Sequence, residues 1–416
     1  MRLITILNKC HRHKGFVYKK SNFVPNDNNE IEVEVIPRKN SKGKCPNCKT
    51  LCPGYDKLPE RRFEFIPFWG FLIFLIYARR RVSCIDCGVI AEELPWAIGK
   101  NHLTNAYMLY LAHWAKKLSW KDVAISFRTS WEKVFKSIDY VVSWGLEHRD
   151  LSGISAIGVD EILWHKGHKY LTLVYQINSE CTRLIWVGKE RTGKSFQQFF
   201  DFLGEERTSL LEYICSDMWK PYLNIIKKNA KDAIHILDRF HIVARLNKAL
   251  DKVRAEEHRQ MKKDGYEAVL TKSRWLLLKK PANLTDGQSA KLKDLLQYNL
   301  KSVRAYLLKE EFQFLWTYIS PVWAGKFIDS WTTKVMRSKI EPLKKEALTI
   351  RRHKDLILNW FRAKKAFSSG IVEGLNNKVK LTVRKSYGFR TLKCTEIALY
   401  HTLGKLPEPP IAHKFC

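Results

Sequence analysis

Three carboxylates stand where short apolar runs give out: Asp160 closing a run that begins at Ala156, Asp217 just past Glu212–Cys215, and Glu373 early in a helix-like stretch from Ile371. Carboxylate oxygens are hard ligands. Three of them can hold two Mg2+ or Mn2+ ions about 3.5–4 Å apart, the arrangement that hydrolyses or transfers a phosphodiester. One ion lowers the pKa of an attacking water or 3′-hydroxyl, and the other steadies the departing oxygen. Two dications against three carboxylates leave a net positive charge that favours an anionic phosphate. Most acidic residues are solvated or cap helices, so the choice rests on where these three fall. Glu161, beside Asp160, points to the other side of a strand and is left out of the set. His165 and His168 flank Lys166-Gly167 and read as a solvated hairpin in preference to a metal turn.

A second constellation is built from sulfur. Cys45-Pro46-Asn47-Cys48 and Cys84-Ile85-Asp86-Cys87 are two C-x-x-C knuckles, each able to present two thiolates from a tight turn. Together they predict one four-thiolate, tetrahedral Zn2+ site of structural type, with no open position for catalysis. The 35 residues between the knuckles exceed the usual spacing of about 15–20, but a long hairpin through Phe63–Arg81 spans them. Cys52, close in sequence, is an alternative ligand.

The elements that position these groups come from a chain of 416 residues, long enough for two to four domains at roughly 150 residues each. Lys and Arg total 73 against 42 acids, a net charge of +31, which attracts a polyanion. Nucleic acid is the expected partner. A basic ribosome-associated protein would share that charge, but the excess is not confined to a tail: Lys334–Lys365 carries eleven Lys or Arg against three acids among aromatic and aliphatic residues. With Lys, His and Arg in Met1–Phe16 in place of a signal's apolar run, the ten cysteines read as thiols of a reducing cytoplasm. The most apolar stretch, Phe65–Ala78, holds Pro67 and Gly70 in 14 residues. A membrane helix needs about 20, so it reads as a buried hairpin.

Residues Ile31–Ile36 alternate with the period of a strand. From His102 to Trp144 the pattern is helical. Ser119 and Asp122 form a capping-box-like start, Arg128-Thr129-Ser130 breaks the pattern, and Trp131–Val142 resumes it. This is a helix-turn-helix candidate, with Val134 and Ile138 inward and Lys133 and Lys136 outward toward DNA. Ala156–Leu163, Tyr170–Gln176 and Thr182–Val187 then read as an antiparallel meander. A helix bearing Phe196, Phe199, Phe200 and Leu203 follows, then a strand at Glu212–Cys215, a helix bearing Tyr222, Ile225 and Ile226, and a strand at Ala233–Leu237. The order βββ-α-β-α-β is that of a ribonuclease H-like α/β core. Its remaining helix is expected at Ile371–Lys385, with Val372, Leu375, Val379 and Val383 on one side and Glu373, Asn377, Lys380 and Arg384 on the other. About a hundred charged, strand-poor residues from Ile242 onward form an all-helical insertion before it.

The runs Gly158-Val159-Asp160-Glu161, Gly167-His168-Lys169-Tyr170, Ser216-Asp217-Met218-Trp219-Lys220-Pro221-Tyr222, Asp238-Arg239-Phe240-His241, Val372-Glu373-Gly374-Leu375-Asn376-Asn377-Lys378 and Tyr387-Gly388-Phe389-Arg390 closely resemble the IS L-three family of bacterial DDE transposases. The resemblance extends over nearly the whole chain. It implies a ribonuclease H-like core interrupted by helices, with Asp160, Asp217 and Glu373 as the catalytic metal ligands. Asp238 and His241 match a D-x-x-H signature expected to support the ligands or the substrate; the plain alternative is a strand-end cap and a core histidine. The expected organisation is a zinc-binding module over 1–95, a helix-turn-helix domain over 96–150, the core over 151–241, the helical insertion over 242–367, and the last core helix with a basic segment over 368–416. Asn377, Lys380 and Arg384 join Lys133 and Lys136 as expected DNA contacts.

The resemblance implies a bacterial, cytoplasmic and nucleoid-associated enzyme that binds the terminal inverted repeats of its own insertion sequence. It would cut strands there and join the 3′-hydroxyls to target DNA as a homo-oligomer, with no membrane partner. One rival is a zinc-containing DNA-binding regulator without catalysis, which leaves the three carboxylates idle. The other is a stand-alone nuclease, which lacks end joining.

Overall fold

The computed structural model describes residues 2–25, 27–165, 167, 169–266, 269–365, 369–386 and 388–410. Lys166, His168 and Tyr387, named in the motifs above, lie outside the described residues. The chain is mixed α/β and divides into two compact units. One comprises residues up to Asp150 together with those from Val379 onward, the other Leu151–Lys378.

The first unit opens with α1 (Leu3–Cys10), followed by β1 (Phe16–Val24), β2 (Asp27–Pro37), β3 (Gly43–Lys44), β4 (Leu51–Cys52), β5 (Gly54–Phe68), β6 (Phe71–Cys84) and β7 (Gly88–Ala91). The main sheet runs β1-β2-β6-β5 with β7 on β6, and β3 and β4 form a separate ribbon. The apolar stretch around residue 70 is the β5–β6 hairpin, its turn made by Trp69 and Gly70 in the left-handed region. Alternation along β6 buries Ile73, Leu75 and Tyr77 against Val33, Val35, Phe63, Phe65 and Trp96. The fully buried Glu92 accepts from Arg80 Nη2 at 2.7 Å and from the Tyr77 hydroxyl, so its charge is paired where no water reaches it. Three helices follow: α2 (Asn105–Lys117), α3 (Trp120–Ser126) and α4 (Trp131–His148). Thr104, Ser119 and Ser130 cap them, each side-chain oxygen accepting a backbone N–H three residues on. Val123, Ala124, Val134, Ile138, Val141 and Val142 are among the buried positions of the last two.

The second unit carries β8 (Ala156–His165), β9 (Lys169–Ile177), β10 (Thr182–Lys189), α5 (Gly193–Leu203), α6 (Glu205–Ser209), β11 (Tyr213–Ser216), α7 (Lys220–Asn229) and β12 (Ile234–Leu237). Its sheet order is β10-β9-β8-β11-β12; the first three strands are antiparallel, and β11 runs parallel to β8 and β12. The predicted strands and helices of this region all form, the strand ends shifted by at most two residues. Gly167 is exposed, at φ +82°. Helices α8 (Arg239–Lys263), α9 (Arg274–Leu278), α10 (Asp286–Leu296), α11 (Lys301–Gln313), α12 (Pro321–Arg337), α13 (Glu341–Arg352) and α14 (Lys354–Arg362) precede α15 (Ser369–Lys385). No strand interrupts them among the described residues. The stretch rejoins the sheet where Asn359 Nδ2 on α14 donates to the His235 carbonyl of β12 at 2.8 Å.

Strand alternation in β8 sorts its residues between two faces. Ile157 and Val159 face one way, into a core with Val174, Phe196, Phe199, Ile214 and Tyr222. Gly158 and Asp160 face α15. A Cβ at Gly158 would lie 2.5 Å from Val372 Cγ2, so the absence of a side chain there lets α15 approach the strand. Gly158→Ala should therefore destabilise by about 1–3 kcal/mol through overpacking. Gly158→Ala with Val372→Ala should be more stable than Gly158→Ala alone in urea unfolding. Losses that simply add would mean that the two residues do not press on each other.

After Val379 the chain ends in α16 (Leu392–Leu403), which packs against α4 within the first unit. Its His401 is buried, its Nε2 unbonded among the described residues. Burial, with Lys116, Lys385 and His113 nearby, lowers it from 6.5 to about 3. The unfolded chain thus takes up a proton below pH 6.5 that the folded chain refuses. The stability contribution is complete above that value and is lost as pH falls, at about 1.4 kcal/mol per pH unit. His401→Gln should flatten the fall in stability between pH 6.5 and 5 by about 2 kcal/mol relative to wild type. An unchanged pH slope in thermal unfolding would refute this.

Candidate active site

Asp160 lies in β8, and Asp217 and Asp238 directly follow the neighbouring strands β11 and β12. This ordering gathers their carboxylates at one end of the sheet. Burial raises the Asp160 carboxyl above its ordinary range, with Asp238 adding to the rise while the Glu161 amide, His241 and Asn376 counter it. The Glu161 N–H donates to Asp160 Oδ1 at 2.7 Å, and Asn376 Nδ2 on α15 donates to Oδ2. Asn376 is itself oriented by Tyr175, whose hydroxyl donates to its Oδ1 at 2.7 Å. Asp217 Oδ1 accepts from the Trp219 N–H at 2.8 Å, and its Oδ2 accepts from Arg191 Nη2 at 3.2 Å. Glu373 is exposed early in α15, past its first turn, one turn before Asn376 and on the same side of the helix. It makes no hydrogen bond or ion pair among the described residues. Asp160, Asp217 and Glu373 are not a group whose ligand atoms all fall within 4.8 Å of one another.

Asp238 caps α8, its Oδ1 accepting from the Phe240 N–H at 2.7 Å, and its Oδ2 lies 3.7 Å from His241 Nε2. The histidine is 43% exposed, so it is not a core residue. Glu161 is on the opposite face of β8 from Asp160, yet it belongs to the same electrostatic cluster. Burial first, then the Asp217 charge, pushes it up to about 7, with Tyr222 and Arg191 opposing. Arg191 bridges the two acids, its Nε 3.0 Å from Glu161 Oε1, and its guanidinium packs over the Trp219 ring at 4.8 Å. Asn376 and Arg191 were missed in the sequence, and Glu161 was set aside there. Asn376 sits three positions after Glu373 and gave a usable signal; Arg191 lies in a turn with none.

In the first unit, the sulfurs of Cys45, Cys48, Cys84 and Cys87 lie within 4.8 Å of one another. Cys48 Sγ and Cys84 Sγ are 3.4 Å apart, close to the edge of about 3.8 Å that a tetrahedron with 2.3 Å metal–sulfur bonds requires. This set could hold one metal ion. Cys52 is buried beside it, and burial with the neighbouring sulfurs raises its thiol to about 11. Among the expected DNA contacts, Lys136, Asn377, Lys380 and Arg384 are exposed, whereas the Lys133 ammonium pairs with Glu64. No helix among the described residues is long and apolar enough to cross a membrane.

A family model for transposases of the DDE type, ISL3 group, matches residues 157–399. That span holds Asp160, Glu161, Asp217, Asp238 and Glu373. The chain is also 28% identical to the transposase for insertion sequence element IS1001 of Bordetella parapertussis, over 83% of this chain and 85% of that protein. It is 26% identical to the transposase for insertion sequence element IS1557 of Mycobacterium tuberculosis, over 93% of this chain and 92% of that one. Both alignments span most of each protein, and the regulator without catalysis is not favoured. On the strength of the family match and these two relatives, the chain belongs to the IS L-three family of DDE transposases.

Proposed function

We propose that this transposase cuts DNA at the terminal inverted repeats of its insertion sequence and joins the freed 3′-hydroxyls to target DNA, using Asp160, Asp217 and Glu373. The observation that carries the reading is the crowding of Asp160, Glu161, Asp217 and Asp238 into one charge cluster, the first two within β8 and the others just past β11 and β12. The donors are hard carboxylate oxygens and the cluster is short of positive charge, so it suits divalent Mg2+ or Mn2+. When bound, two such ions would supply the positive charge that stabilises the phosphate in transit. Asn376 fixes the orientation of Asp160, and Arg191 holds Asp217 in place. Asp238 and His241 stand beside them to position the scissile strand. The sheet with α5, α7 and α15 is read as a ribonuclease H-like core over 151–241 and 368–416, with 242–367 as its helical insertion.

DNA-end recognition is assigned to the module over 1–95 and to a helix-turn-helix over 96–150, made by α3 and α4. Lys136 is the freer of its two lysines, because Lys133 is engaged by Glu64. Asn377, Lys380 and Arg384 would contact phosphates. The four cysteines are assigned to one structural Zn2+, since four soft ligands in tetrahedral reach suit that ion. Two DNA ends must be held together for transfer, which calls for a homo-oligomer on DNA, in the bacterial cytoplasm at the nucleoid.

Asp160→Asn, Asp217→Asn and Glu373→Gln should each lower cleavage of a labelled terminal-repeat duplex by at least about 10³-fold, roughly 4 kcal/mol in the barrier. Binding of the same duplex in Ca2+ should persist. A variant that still cuts within about tenfold of wild type would remove that residue from the ligand set. For the sulfur site, purified protein should contain one zinc per chain, and Cys48→Ser should lose it and unfold the module. Full zinc retention after both knuckles are changed would overturn that assignment.

A further inference from the structure

Beside Asp217 opens a cleft of about 300 Å3 lined by Arg191, Trp219, His241, Arg245 and Lys248. One wall is a single face of α8, because positions 241, 245 and 248 recur at helical spacing while Ile242, Leu246, Ala249 and Val253 are buried. The cations in it are only partly engaged by the protein. Lys248 is exposed and has no hydrogen-bond or ion-pair partner among the described residues. Arg245 donates through Nε to Glu346 at 2.7 Å, leaving its terminal nitrogens without an acceptor among the described residues. Arg191 is aimed by its turn: Glu190, at φ +71°, donates its N–H to the Tyr170 carbonyl at 2.9 Å and accepts from Thr172 Oγ1 at 2.8 Å. The lining thus carries three permanent cations and one carboxylate, Asp217; Arg191 is shared between Asp217 and Glu161 and Arg245 is held at Nε by Glu346, while Lys248 is free to meet a ligand in a space larger than a lone ion needs. Forked guanidinium and ammonium donors of this kind match phosphate oxygens. An acidic peptide would meet the same cations, but the strand to be cut must already lie along this wall if Asp217 faces its phosphate.

We propose that this cleft seats a phosphodiester of the DNA strand adjacent to the one being cut. Lys248 and Arg245 neutralise its oxygens, and Arg191 packs between Asp217 and the sugar–phosphate. The proposal rests on the catalytic reading above only for which phosphate is adjacent; the contact itself is read by binding.

The experiment uses the full chain, Ca2+ in place of the catalytic ions, and terminal-repeat duplexes carrying one neutral methylphosphonate at each linkage around the cut. One linkage beside the cut should weaken wild-type binding about tenfold but weaken Lys248→Ala by less than about twofold, the coupling expected of a direct contact. On unmodified DNA, Lys248→Ala should reduce the log–log salt slope by about one. Lys231→Ala, at the opposite end of β12, should keep the full methylphosphonate penalty. If every linkage costs Lys248→Ala as much as wild type, or none near the cut matters to wild type, the cleft does not hold the strand. Unchanged thermal unfolding of Lys248→Ala keeps a folding defect from mimicking the effect. Cleavage that survives Asp217→Asn would sink the catalytic reading and leave this coupling measurable. Lost coupling beside carboxylate-dependent cleavage would sink the cleft alone.

Discussion

Like charges crowded together in a poorly solvated place are the constraint around which the second unit is arranged. Asp160 and Glu161 in β8 lie beside Asp217 and Asp238, which directly follow β11 and β12; Asp238 adds to the cost of ionising Asp160, and Asp217 and Asp160 add to that of Glu161. The protein supplies partial relief from two directions. Arg191 lies between Glu161 and Asp217 on one side of β8, and Asn376 reaches Asp160 from the other. Both depend on tight local geometry. Gly158 leaves space for the helix that bears Asn376, and the Glu190 turn fixes the direction of Arg191. The remaining deficit of positive charge is what prepares the site for cations and for a polyanion drawn in with them.

The two constellations differ in chemical hardness, so they need not compete for the same ion. Sulfur clustered beside β4 and β6 favours a soft or borderline metal, while carboxylate oxygen favours a hard one. They are also built differently. The cysteine cluster sits on turns attached to a sheet whose own charge, Glu92, is neutralised internally by Arg80 and Tyr77. The carboxylate cluster sits at strand ends, open to a substrate. Rigidity suits the first and accessibility the second.

Most elements of the second unit were legible because strand and helix periodicities there are strong: the run at Ala156–Val159 and the Phe196, Phe199, Phe200 stripe each bury one face. The places of Asp160 in a strand and of Asp217 just past the next one were legible from such runs. Periodicity could not reveal Arg191, which lies in a turn, nor the effect of the Asp217 charge on Glu161. Alternation correctly put Glu161 on the far face of β8, but charges act through space and across a strand. Lys133 shows the reverse limit. Its outward position on α4 was readable, but its pairing with Glu64, 69 residues earlier in sequence, was not. In the first unit, α1 and β1 carry too little periodic signal to be read ahead of their packing.

The hydrogen bond between Asn376 and Asp160 joins residues 216 positions apart, and this separation bears on synthesis. At about 5–20 residues per second, α15 leaves the ribosome on the order of 10–40 s after β8. Throughout that interval the strands already made lack both Glu373 and the amide that orients Asp160. A nascent or prematurely ended chain, still tethered near nucleic acid and already strongly basic, therefore carries an unfinished carboxylate cluster. On the proposed reading of the site, translation itself delays the assembly of a group of residues whose premature action would be directed at the cell's own DNA.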